Sequence, residues 1–305
     1  MLKEIMVVTG GAGFIGSHLS EKLLSLGYTV RIIDNMSQGK KEYIPDGAEF
    51  YQGDILDKEL LRKVFSGAKG VFHVAAMSKV APSIDKIEYC TEQNVMGTLN
   101  VLIVAKECEV EKVIYSSSSS YYGNHKAPQR EDMLPNPLNP YALSKYVGEQ
   151  YCELYTILYG LPTLSLRYFN VYGNRQPSEG AYALVLGIFL KNLQEGKTLT
   201  IHGNGSQRRD FVHVSDVVDA NIAAFNSDAQ GMVLNVGSGK NISVQELADL
   251  ISSDQTYEPR RLGDAEITLA DIHKAREVIG WEARVSIEDG IQSMIDDVVK
   301  SSSQE

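Results

Sequence analysis

Ile5-Met6-Val7-Val8-Thr9-Gly10-Gly11-Ala12-Gly13-Phe14-Ile15-Gly16 opens the chain with a strand-like run and a turn in which Gly10, Gly13 and Gly16 recur at every third position. The run is apolar throughout instead of alternating, as expected of a strand covered on both faces of a parallel sheet. Ser17 to Leu26 has helical composition and is closed by Gly27. Thr29-Val30-Arg31-Ile32-Ile33-Asp34 is a second such strand, ending in an acid about 20 residues after the glycines. Strand, glycine turn, helix, strand and acid together form a βαβ unit suited to a dinucleotide. The glycines let the backbone approach a pyrophosphate, and the helix N-terminus points free N–H groups at it. Asp34 accepts hydrogen bonds from a ribose diol, which favours NAD over NADP. Gly10, Gly13, Phe14, Ile15, Gly16, Asp34 and Asn35 are therefore expected at the cofactor.

The alternation of strands and helices continues from there, so the fold class is α/β with a doubly wound parallel sheet. Ala48 to Gly53 reads as a strand followed by Asp54-Ile55, and Asp57 caps a helix through Phe65. Gly70 to Ala76 is a fourth strand whose small end residues, Ala75 and Ala76, leave room for a cofactor. One long helical stretch is expected from Pro82 to about Cys108. Val113-Ile114-Tyr115 begins a fifth strand that runs into five serines, Ser116 to Ser120. In open α/β sheets ligands sit beyond the carboxyl ends of the strands, which is where those serines fall.

Three prolines between Pro135 and Pro140 make an extended approach to a helix over 140–159. That helix carries Tyr141 and Lys145, four apart and so on one face, with Cβ atoms about 5–6 Å apart. A free phenol titrates near ~10, and an adjacent ammonium is expected to lower it. The pair then serves as a general base poised near working pH.

At 305 residues with 43% apolar content, the chain is long enough for such a domain and an appended lobe. Its net charge of −10, from 29 basic and 39 acidic residues, argues against non-specific nucleic-acid binding. Cys90, Cys108 and Cys152 form no CxxC and read as reduced thiols of a cytoplasmic protein. No histidine lies in metal-ligand spacing with a cysteine, so no metal is expected. No secretory h-region and no apolar run of about 20 residues is present, so no membrane partner is expected.

Thr9 to Gly16, Thr-Gly-Gly-Ala-Gly-Phe-Ile-Gly, resembles the cofactor loop of the extended branch of the short-chain dehydrogenase/reductase superfamily. The resemblance runs over essentially the whole chain. It implies a Rossmann NAD-binding domain over 1–175, to which about 210–240 returns, and a smaller nucleotide-sugar lobe over 176–305. It implies that Asp54 and Ile55 face the adenine. Asn94, in Asn94-Val95-Met96-Gly97-Thr98, steadies a bend, its first role, or binds near the active site as one of the cofactor contacts. Ser118 is implied as the catalytic serine, four residues before Tyr122-Gly123, relaying a proton to Tyr141.

Arg167-Tyr168-Phe169-Asn170-Val171-Tyr172-Gly173 is similar to UDP-hexose 4-epimerases, which sets Tyr168 against the nicotinamide and Asn170 at the diphosphate. Arg209 in Arg208-Arg209-Asp210-Phe211 and Arg261 in Arg261-Leu262-Gly263-Asp264 match phosphate-gripping arginines. Asp264 orients its strand or touches the ribose. Thr268 takes the place of a side chain that limits pocket size, and its modest bulk admits an N-acetyl group at C2. The family's dehydratases carry an acid after the catalytic Ser/Thr; here Ser119 and Ser120 follow, which leaves epimerisation at C4.

The pairs UDP-GlcNAc/UDP-GalNAc and UDP-Glc/UDP-Gal lead. UDP-glucuronate competes, because Ser119, Ser120 and Arg175 offer partners to a carboxylate. A reductase or dehydratase of the branch also stays open, as does a non-catalytic dinucleotide sensor. The family further implies a homodimer through helices near 82–108 and 140–159.

Overall fold

In a computed structural model that describes residues 3–178, 185–259 and 266–302, seven parallel strands carry the chain. They are β1 (Ile5–Thr9), β2 (Thr29–Asp34), β3 (Glu49–Gln52), β4 (Ala68–His73), β5 (Lys112–Ser118), β6 (Thr163–Tyr168) and β7 (Met232–Val236). Their order in the sheet is β7-β6-β5-β4-β1-β2-β3, with Thr9 paired to Ile33 on one side and to His73 on the other. The order reverses at β1/β4, and in sheets of this kind the crevice above that point takes the ligand.

The period-2 geometry of each strand sorts its side chains into two cores. Met6, Val8, Ile32, Phe72, Ile114 and Leu166 pack against helices α1 (Phe14–Ser25) and α8 (Val214–Asn226). Val7, Ile33, Val71, Val113 and Tyr115 pack on the other face, against α2 (Lys58–Phe65), α5 (Gly97–Glu107) and α6 (Pro140–Tyr159). Asp57 caps α2 by accepting from the amides of Glu59 and Leu60.

The single long helix expected over 82–108 is instead segmented. It comprises α3 (Val80–Asp85), α4 (Ile87–Thr91), one π turn (Glu92–Met96) and α5. Lys86 leaves the helical region at φ −129°, ψ 56°, which breaks the run. The π turn holds Asn94, whose side chain is tied to neighbours outside the helix, and such bulges are common where a side chain is diverted in this way. Gly97 then lets the helix close on Ile55, since a Cβ there would stand 2.4 Å from Ile55 Cδ1.

The second lobe has its own core of Leu186, Phe189, Leu199, Ile201, Phe211, Leu247 and Ile291. It is built on α7 (Val185–Gln194), α9 (Val244–Asp249), α11 (Ile287–Ser302) and the parallel pair Leu199–His202 with Gln255–Glu258. Ser243 and Glu246 form a capping box on α9. β7 crosses back to pair with β6, and α10 (His273–Ile279) packs on it, so the chain after 230 re-enters the main sheet.

Candidate active site

A cavity of about 1010 Å³ runs along the carboxyl ends of the strands, from the glycine turn to Arg209 and Thr268 of the lobe. At its β1 end Gly10 has φ +70°, and a Cβ on it would lie 2.8 Å from Ala75 Cα. A Cβ on Gly16 would lie 2.1 Å from the Gly10 carbonyl oxygen, so neither position tolerates a side chain. Gly13 caps α1 without a side-chain bond, and Phe14, Ile15 and Gly16 face the cavity with first-turn amides that have no intrahelical acceptor.

Asp34 ends β2 with its carboxylate accepting from the amides of Ala12 (3.0 Å) and Met36 (2.8 Å). Burial raises its pKa, against the pull of those two bonds. Gly53 and Ile55 line the wall below it, whereas the Asp54 carboxylate is turned to Asn35 Nδ2 (2.9 Å), Gln93 Nε2 (3.1 Å) and the Leu56 amide (3.0 Å). Asp54 is therefore a brace for Asn35 and Gln93, which reach the wall themselves.

The candidate catalytic cluster is set by how α6 begins. The Asn139 side chain caps the Ala142 amide at 2.9 Å, Pro140 takes the first turn, and the Tyr141 amide donates to Ser83 Oγ at 3.1 Å. Tyr141 and Ser117 to Ser120 meet on the cavity wall. Ser118 Oγ accepts from the Ser120 amide (3.2 Å) and from Ser120 Oγ (2.8 Å), so its own proton is left to donate. The Tyr141 hydroxyl stands near enough for Ser118 to lower its pKa.

Tyr141 corrects the simplest expectation drawn from its spacing to Lys145. Its pKa is raised above 10.0, because enclosure of the phenol outweighs the opposing hydrogen bond from Ser118. Lys145 does not offset that rise. Its ammonium donates to the Ser116 carbonyl at 2.7 Å and sits 4.9 Å from the Tyr115 ring centroid, and burial lowers its pKa to about 8.

Under the serine run lies a charge pair that no motif in the sequence singles out. Arg167 donates from Nε and Nη2 to Glu149 at 2.8 Å each, with both side chains buried. Ser117 Oγ donates to the same carboxylate at 2.5 Å, and the guanidinium stacks 3.4 Å from the Tyr121 ring centroid. One signal is present: Glu149 follows Lys145 by four residues on α6.

At the lobe end Asn170 Nδ2 donates to the Asp210 carbonyl (2.8 Å) and to Thr268 Oγ1 (3.2 Å), and Arg209 Nη1 donates to the Arg208 carbonyl (3.0 Å). Tyr168, Asn170, Arg209 and Thr268 all reach the cavity.

The family model for the NAD dependent epimerase/dehydratase family matches residues 6–237. The chain is 38% identical over 305 residues to the UDP-glucose 4-epimerase of Mycolicibacterium smegmatis, covering 95% of this chain and 97% of that one. It superimposes with a TM-score of 0.94 on the UDP-glucose 4-epimerase of Thermotoga maritima solved with UDP-glucose, at 37% identity, over 97% of this chain and 99% of that one. The TM-score is also 0.94 to the UDP-N-acetylglucosamine 4-epimerase of Methanobrevibacter ruminantium in complex with UDP-N-acetylmuramic acid, at 33% identity, over 99% and 100% of the two chains. The chain belongs to the NAD-dependent epimerase/dehydratase family. It is of the UDP-sugar 4-epimerase type of the extended short-chain dehydrogenase/reductases, isomerases that use NAD.

The residues present fit that cofactor. The turn at Gly10 and Gly16 has space for a backbone cradle and none for side chains, and the Asp34 carboxylate at the end of β2 suits a diol and repels a phosphate. Ala75, Ala76 and Tyr168 complete the wall.

Of the cofactor-site expectations, Asp54, Lys145 and Asn94 do not line the cavity, and Asn94 takes the structural one of its two expected roles. It is buried off the wall, accepting from the Met77 amide (2.7 Å) and donating to the Met77 carbonyl and to Ser144 Oγ (2.9 Å each), so it braces the loop after β4. Arg175, considered for a carboxylate, is spent on Glu21 (2.5 Å) and Ser17 (3.1 Å) beside α1. Arg261 and Asp264 lie outside the described residues. Among the wall residues that carry no sequence signal are Lys79 and Gln176; both amide atoms of Gln176 are buried with no hydrogen-bond partner among the described residues.

Proposed function

We propose that this chain is a 4-epimerase of a UDP-hexose, and that UDP-GlcNAc/UDP-GalNAc and UDP-Glc/UDP-Gal are the pairs its C2 side admits. One observation carries the reading. The Ser118 and Tyr141 side chains lie together on the wall of the cavity, close enough for Ser118 to lower the phenol's pKa, and the residues that follow, Ser119 and Ser120, offer no carboxyl group for elimination. Glu149, which touches Ser117, is tied up by Arg167.

Held by the Gly10–Gly16 turn and Asp34, NAD would supply reversible hydride exchange at C4 of the sugar. Tyr141 takes the proton of the C4 hydroxyl, directly or through Ser118, and returns it after the flat 4-keto sugar has turned in the pocket. Lys145 fixes the end of β5 through the Ser116 carbonyl and keeps a positive charge beside the site. Asn170, Arg209 and Arg261 hold the UDP while the sugar stays loosely held, since a rigid sugar site would return the starting isomer. Thr268 is small enough to leave room for a C2 substituent.

The test incubates purified protein with UDP-Glc and UDP-GlcNAc separately, without added reductant. Each is expected to yield its C4 epimer by chromatography. Recovery of both with C4 unchanged would overturn the proposal.

We also infer a homodimer. Ile84, Ile87 and Met96 on the segmented helices, and Leu154, Ile157 and Leu158 on α6, are large apolar side chains exposed on the surface. Leu154, Ile157 and Leu158 stand at helical spacing and form one stripe. Sedimentation is expected to give twice the chain mass, and Ile157→Glu with Leu158→Glu one chain mass. A wild-type protein sedimenting as one chain at micromolar concentration ends the inference.

A further inference from the structure

Four cationic side chains reach the cavity wall among the described residues: Lys40, Lys79, Arg175 and Arg209. Lys40 faces Glu42, Arg175 is paired with Glu21, and Arg209 bonds the Arg208 carbonyl. Lys79 has neither a hydrogen-bond nor an ion-pair partner among the described residues. It is half-buried, and burial lowers its pKa to about 8, so the ammonium still carries its charge at neutral pH. A charge drawn from water without a counter-ion is costly, and a ligand anion relieves that cost.

The backbone around Lys79 is rigidly placed. Two residues earlier, both polar groups of the Met77 backbone are held by Asn94, which also binds Ser144 of α6. Four residues later, Ser83 Oγ accepts from the Tyr141 amide. The lysine therefore stands on an arm clamped to the start of the catalytic helix. The NAD pyrophosphate has its own donors in the first-turn amides of α1, and the UDP diphosphate has Asn170 and Arg209 at the lobe end of the cavity.

We propose that Lys79 receives a carboxylate carried by the sugar, so that acidic UDP-hexoses, uronates first, are preferred over their neutral parents. Ser119 and Ser120 on the same wall offer hydroxyl donors to the same group. Room at C2 beside Thr268 and a cation at Lys79 are independent features, so the acidic class includes N-acetylated members. The inference rests on the epimerase reading for turnover but not for binding.

The experiment therefore measures both. Full-length protein with NAD is titrated with UDP-glucuronate and UDP-glucose by calorimetry, and kcat/KM is measured for each, in the wild type, Lys79→Ser and Lys79→Glu. The wild type is expected to bind UDP-glucuronate at least tenfold more tightly. Lys79→Ser should cut that ratio roughly tenfold to a hundredfold, the span of one charge-assisted hydrogen bond, and Lys79→Glu should invert it. The two ligands share their UDP, so losing a diphosphate contact weakens both alike and leaves the ratio in place. A ratio within twofold of wild type in both variants, or a wild type that favours UDP-glucose, overturns the proposal. A tenfold binding preference that Lys79→Ser abolishes, without C4 epimerisation of either sugar, supports Lys79 as the carboxylate site while counting against turnover of these two sugars.

Discussion

Tyr141→Phe is expected to lower turnover by about 10²- to 10⁴-fold, the usual worth of a positioned acid–base group, while NAD remains bound. The substitution removes one hydroxyl and leaves the ring, the glycine cradle and Asp34 in place. The hydroxyl sits on a half-buried ring whose pKa is raised, so only a small phenolate fraction exists at neutral pH, and turnover should climb as pH rises toward that pKa. The donated hydrogen bond from Ser118 favours the ionised form, so Ser118→Ala should move the rising limb of kcat to still higher pH. Lys145 loses its charge above about 8, which works against the climb on the alkaline side. Measured kcat–pH profiles decide. A limb that stays where it was in Ser118→Ala would detach that serine from the base, and undiminished turnover in Tyr141→Phe would remove Tyr141 from the chemistry.

The parts of this fold that are legible in the sequence are those fixed by short-range periodicity. The apolar runs at 5–9 and 29–34, the glycine spacing and the cap at Asp57 each depend on a few neighbouring residues, and each yields the element expected. The failures share a different cause. Three of the five serines lie inside β5, because Ser116 Oγ pairs with the Tyr168 hydroxyl at 3.0 Å and Ser117 with Glu149, partners 52 and 32 residues away. Asn94 looks like a ligand contact, yet Met77 and Ser144 consume its amide. Lys79 and Gln176 cannot be singled out at all, because what marks them is a missing partner, and that is a property of the folded neighbourhood. The phenol's raised pKa has the same origin: spacing announces the ammonium, and only the fold shows that the Ser116 carbonyl takes it.

Glu149→Ala is expected to destabilise the protein by about 3–5 kcal/mol, because it leaves a buried guanidinium without its counter-ion. Arg167 is 3% exposed and does not shed its proton at any accessible pH. Burial pulls its pKa down, but the Glu149 pair more than reverses this and the net shift is upward. Without the carboxylate, Nε and Nη2 lose their acceptors, and Ser117 loses the acceptor at 2.5 Å. What remains to the charge is the Tyr122 hydroxyl at 2.9 Å and the face of Tyr121. Replacing both partners, as in Glu149→Met with Arg167→Met, removes the orphaned charge and should recover most of the loss, since an apolar pair of similar volume is often no less stable than a buried ion pair. Denaturant unfolding of the two single variants and the double variant gives the coupling directly. The same carboxylate holds Ser117, whose neighbour Ser118 stands beside Tyr141, so kcat of Glu149→Ala should fall even at temperatures where the variant remains folded. A loss below about 1 kcal/mol, or a double variant no better than the singles, would mean that water or local rearrangement neutralises Arg167 and that the pair does not anchor the serine run.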